Sequence, residues 1–101
     1  MFMIAWDIVI FMDNIKKQII FWLSDNFSEE EILLADGFES AFVGVGQQAY
    51  KLFAIYDQDK CIEELINQGM SVTEACEYFT FNVEGSYVGE NTPVFLTNFK
   101  K

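Results

Sequence analysis

The chain has 101 residues, 51% of them apolar, with sixteen carboxylates against six cations and no histidine, a net charge of −10. All six cations are lysines, so the side chains that drive phosphate contact are scarce. Histidine, the commonest general base and metal ligand, is absent. Direct nucleic-acid binding, a zinc site and most acid–base catalysis are therefore not expected.

The apolar share, with eleven Phe, four Tyr and two Trp, suffices for a core without metal or disulfide staples. A length near the commonest domain size predicts one domain over 1–101. Disorder needs low hydrophobicity as well as high charge, and only the charge is present. No cationic n-region precedes a clean apolar stretch, and Asp7, Asp13, Lys16 and Lys17 interrupt the apolar opening. Neither a secretory signal nor a membrane span is expected, and the reading is a cytoplasmic protein with reduced thiols.

Met1–Met12 is apolar except for Asp7 and carries no turn or cap signal. A strand, an oligomer-forming segment and sequence upstream of a start at Met12 all fit it. Asp13 is placed to cap a helix over 13–24, in which Ile15, Ile19, Trp22 and Leu23 form one apolar stripe. Ser28 and Glu31 have capping-box spacing. Ala41–Gln47 and Tyr50–Tyr56 read as a β-hairpin, with Gly44 and Gly46 on one face of its first strand, marking a bulge or a close approach.

Asp57 then caps a helix with Cys61, Ile62, Leu65 and Ile66 inward, and Gly69 closes it. Ser71 and Glu74 form a second capping box, with Met70 and Ala75 as its hydrophobic staple. Val72, Ala75, Cys76 and Phe79 are predicted to face inward. Cys61 and Cys76 are read as buried thiols on facing sides of this helical hairpin. Gly85, Gly89 and Asn91 mark turns, and Thr92–Leu96 is predicted as a strand, with Pro93 at its start.

Four local patterns invite chemical readings. Gly44-Val45-Gly46-Gln47-Gln48-Ala49 fits a dinucleotide-binding pattern, but that pattern must open a helix and here a strand follows. The helical hairpin resembles a DNA-reading helix-turn-helix, yet Thr73, Glu74 and Glu77 would meet the phosphates. Asp57-Gln58-Asp59 lacks the glycine and closing glutamate of a calcium loop, and capping by Asp57 explains it. Asp36 and Glu39 flank the Gly37 turn as a carboxylate pair, with nothing to fix a substrate. The expectation is no enzyme, no cofactor and no metal.

Ile32–Gly46 (ILLADGFESAFVGVG), Ala54–Ile66 (AIYDQDKCIEELI) and Gly69–Leu96 (GMSVTEACEYFTFNVEGSYVGENTPVFL) together resemble a family of small proteins found in tailed bacteriophages. The likeness covers about residues 32–96 and leaves Met1–Phe27 outside. The family brings no established catalytic residues. The resemblance implies a phage setting in the host cytoplasm, where small acidic proteins occupy host proteins that normally hold nucleic acid.

The expectation is thus an α+β protein in which a small antiparallel sheet packs against an N-terminal helix and a helical hairpin. Its expected function is inhibition or modulation of a host protein with a basic surface, as an anti-CRISPR protein or similar nucleic-acid mimic. The candidate surface is Asp59, Glu63, Glu64, Glu74 and Glu77 on the hairpin with Asp36, Glu39, Glu84 and Glu90 on loops. The alternative is a phage structural or assembly protein that forms homo-oligomers through its apolar N-terminal region.

Overall fold

The caps of the helical hairpin are the strongest local signals in the chain, and they organise the fold. A computed structural model describes residues 6–27, 32–86, 89 and 91–99. Within them run α1 (Trp6–Asn26), a 3₁₀ turn (Glu39–Ala41), β1 (Phe42–Gln48), β2 (Lys51–Asp57), α2 (Gln58–Asn67), α3 (Val72–Tyr78), a π-turn (Phe79–Glu84) and β3 (Val94–Leu96).

Asp57 ends β2 and begins α2 in one residue. One of its oxygens accepts the Lys60 N–H at 3.0 Å, and the other accepts the Asn98 side-chain amide. Gly69, at φ 115°, closes α2 with its N–H on the Ile66 carbonyl, while the Met70 N–H returns to Leu65. These are the two bonds of a Schellman motif, and the left-handed conformation it needs falls on the residue without a Cβ. The Ser71–Glu74 capping box forms in both directions at 3.1 Å, and the staple residues Met70 and Ala75 are both buried.

The fold is α+β, but the sheet is mixed where an all-antiparallel one was expected. β1 and β2 form the antiparallel hairpin, and β3 joins the far side of β2 in parallel, giving the order β1-β2-β3. The reason is topological. Between β2 and β3 the chain passes through α2, α3 and the π-turn, and a crossover of that length returns the chain in the same direction. The register shifts between Phe42 and Gly44, so the expected irregularity at the glycines is a bulge. Close approach occurs at Gly46, where a Cβ would stand 2.6 Å from the Ile55 side chain.

Every second residue of β2 points inward. Leu52, Ala54 and Tyr56 are buried, and Ala54 and Tyr56 join Ala41, Cys61, Leu65, Met70, Ala75 and Phe79 in one core. A series of ring contacts crosses this core at centroid distances of 5.1–6.1 Å. It runs from Phe27 to Trp22, then Phe42, Tyr56, Phe95 and Phe79. It ties α1, β1, β2, β3 and the π-turn to one another.

Two further expectations are corrected. The first helix is already formed at Trp6, so Asp13 is an exposed mid-helix residue and not its cap. Of the stripe expected on it, Ile19 is buried, Ile15 and Leu23 are half-buried and Trp22 stays 42% exposed beside Phe42. Of the four residues expected inward at α3, Ala75 on the helix and Phe79 just after it are buried; Val72 is 64% exposed and Cys76 is exposed. Val72 and Cys76 lie one helical row beside Ala75 and Phe79, and a seven-residue helix buries one row. Ser28, Glu31 and Met1–Ala5 lie outside the described residues.

Candidate partner-binding surface

The carboxylates singled out in the sequence separate into presented and internal groups. Glu63, Glu74, Glu77 and Glu84 are exposed, as is Asp36, while Asp59 is half-buried. Glu39 is buried instead: its Oε2 accepts the Gly37 N–H at 3.0 Å across the turn it was expected to flank. Glu64 is half-buried, with Oε1 accepting the Ser40 hydroxyl at 3.0 Å and Oε2 buried without a hydrogen-bond partner among the described residues. Glu90 lies outside the described residues. Glu64 thus joins α2 to the 3₁₀ turn, Glu39 closes the turn before it, and neither is offered to a partner.

Asp36 and Glu39 do not form a pair. Asp36 turns outward to the Lys16 ammonium at 2.8 Å, linking its loop to α1, while Glu39 turns inward. Asp36 in turn raises the Lys16 pKa above its ordinary value, mainly through their hydrogen bond. Both side chains are well exposed, so the pair adds little to stability.

Three of the presented carboxylates, Glu63, Glu74 and Glu77, border two concavities. Asp59 and Glu63, one helical turn apart on α2, share a hollow of about 360 Å³ with Asp57, Lys60 and Asn98. Glu74 and Glu77 border a second, also about 360 Å³, walled by Met70, Tyr78, Phe81 and Asn82. Glu74, Glu77, Tyr78 and Phe81 recur at helical spacing, so acidic and aromatic side chains share one outer stripe. The Ser71 N–H, then its hydroxyl, hold the Glu74 carboxyl below the ordinary carboxylate value.

Sequence reasoning missed a third concavity, larger than these two. A cleft of about 420 Å³ opens between the 34–38 loop, the end of α2, the π-turn and the approach to β3. Leu34, Phe38, Leu65, Val83, Pro93 and Phe95 make its apolar walls, with Asp36, Gln68, Asn82 and Thr92 among its polar lining. These residues come from four separated stretches, so no local spacing announces the cleft. The π-turn shapes one wall. Its Thr80 carbonyl accepts from the Gly85 N–H, five residues on, and Phe81 is left 77% exposed. Such turns are rare and concentrate at functional sites.

Cys61 and Cys76 do not form the facing buried pair expected of them. Cys61 is fully buried, and burial, with Asp57 and Glu64 nearby, pushes its thiol up to about 12. Cys76 is exposed. Among the described residues no three His, Cys, Asp or Glu side chains gather as a metal set, and no helix is long and apolar enough to cross a membrane. No family model, curated protein or solved structure matches the chain.

Proposed function

We propose that this is a phage-encoded interaction protein that inhibits or modulates a host protein by presenting carboxylates to a basic surface, in the manner of an anti-CRISPR protein or other nucleic-acid mimic. The carrying observation is that Glu63, Glu74, Glu77 and Glu84 stand exposed on a scaffold with net charge −10. Capped helices hold three of them, so their positions are set before a partner arrives. Such charges act mainly on the rate of association and on the rejection of wrong partners.

The test begins with capture of host proteins from a lysate of the bacterial host, followed by isolation of the bound partner. Its affinity is then measured for the wild type and for a Glu63→Gln, Glu74→Gln, Glu77→Gln variant. Binding should weaken more than about tenfold, and the difference should shrink as salt shortens the Debye length to about 8 Å near physiological ionic strength. Equal affinity of the two proteins at low and high salt would defeat this reading.

A second reading, that the chain is a phage assembly protein, draws on a different observation. Ile20, Phe21 and Trp22 are exposed on α1, with Phe21 at 71%. Consecutive large apolar side chains in water favour contact with another protein surface.

A further inference from the structure

The two edges of the sheet are treated differently. β3 is blunted by its three-residue length and by Pro93 immediately before it. β1 is seven residues long, contains neither proline nor a charged residue, and is the other end of the sheet order among the described residues. Among the described residues its protective device is the bulge next to Val43. Val43 is 55% exposed, and with Phe42, Ile15 and Trp22 it lines a hollow of about 220 Å³ where α1 lies against the strand.

We propose that β1 is a self-pairing edge. Two copies of the chain join β1 to β1, antiparallel about a two-fold axis, and their three-stranded sheets become one of six strands. Charge selects the second copy as occupant. Two chains of −10 repel over most of their surfaces, whereas residues 42–50 (FVGVGQQAY) carry no carboxylate and no ammonium. A cationic partner is drawn to the acidic hairpin, and this uncharged strand adds nothing to that attraction. A chain of the same sequence meets a neutral strand with a neutral strand and gains main-chain hydrogen bonds along it. Seven paired residues make a small interface by themselves, so the hollow between Val43 and Trp22 adds apolar contact beside the strands. This pairing is independent of the acidic face and of its partner.

Sedimentation equilibrium of the full chain should give a mass rising from 11.7 kDa toward twice that value with concentration. Amide hydrogen exchange across Phe42–Gln48 should slow over the same range. Val43→Glu with Gln47→Glu places carboxylates on the edge and should weaken self-association about tenfold or more, with the far-ultraviolet circular dichroism unchanged. A Phe21→Ser variant should still dimerise. A monomer at all concentrations would overturn the proposal. So would a dimer in which β1 exchange is independent of concentration, or one that Phe21→Ser dissolves and the strand variant does not. The exchange measurement uses the wild-type chain, so the outcome stands even if the strand variant fails to fold.

Discussion

The Tyr56 hydroxyl, in the middle of the core, accepts the main-chain N–H of Ala35 at 2.8 Å. This bond fastens the segment before the 3₁₀ turn to the central strand and so fixes one wall of the cleft of about 420 Å³. The tyrosine is 1% exposed.

Tyr56→Phe keeps the ring contacts with Phe42 and Phe95 and removes only that acceptor. Leaving a partly buried N–H unpaired costs about 1–3 kcal/mol. Chemical denaturation should show a loss in this range with an unchanged m-value. A variant as stable as the wild type would mean that the Ala35 N–H finds another acceptor.

The two thiols should behave as different species. Cys76 should react with a thiol reagent in the native protein, and Cys61 only after denaturation. One equivalent released quickly and one on unfolding is the expected result. Two quick equivalents would place Cys61 outside the core.

Alkali should loosen the core at two adjacent points. Burial pushes the Cys61 thiol from its ordinary 9.0 up to about 12 and the Tyr56 phenol from 10.0 up to about 12. Both are acids held neutral by folding, so their contribution is whole below about pH 9 and is lost as the pH rises toward about 12. The denaturation midpoint should fall steeply in that window. At the acid end Glu74, held below its ordinary 4.5, contributes in the opposite sense: its share is present above that value and disappears as the pH drops. A midpoint flat from pH 9 to 12 would contradict the burial of both groups.

The β1–β2 turn carries a local cost. Ala49, its first residue, has φ +55°, a left-handed conformation that costs an L-residue with a Cβ roughly 1–2 kcal/mol. Glycine adopts it freely but loses more entropy on folding. Ala49→Gly should therefore stabilise the protein by about 0.5–1 kcal/mol, read as a higher melting temperature. A lower melting temperature would show that the turn is held by more than its backbone.

The helical hairpin was legible because its signals are local: Asp57, Gly69, Ser71 and Glu74 each act within a few residues of themselves. The start of α1 was not, because an exposed Asp13 in mid-helix looks the same in sequence as an Asp13 at the cap. The direction of β3 depends on a crossover through two helices, which no residue of Thr92–Leu96 encodes. Ala75 and Phe79 were expected inward and are, but Val72 and Cys76 were added to them because both neighbouring rows are apolar. At the candidate surface Glu63, Glu74 and Glu77 were placed correctly as exposed. Glu39 and Glu64 were not, because their burial is decided by the 3₁₀ turn meeting α2.

The series of rings from Phe27 to Phe79 couples α1, the sheet and the π-turn, so that they should not come apart in stages. A disturbance at Trp22 on α1 and one at Phe79 in the π-turn reach the same strand through Phe42 and Phe95. Melting followed by tryptophan fluorescence and by helical circular dichroism should therefore trace a single curve, with the helices and the sheet failing together.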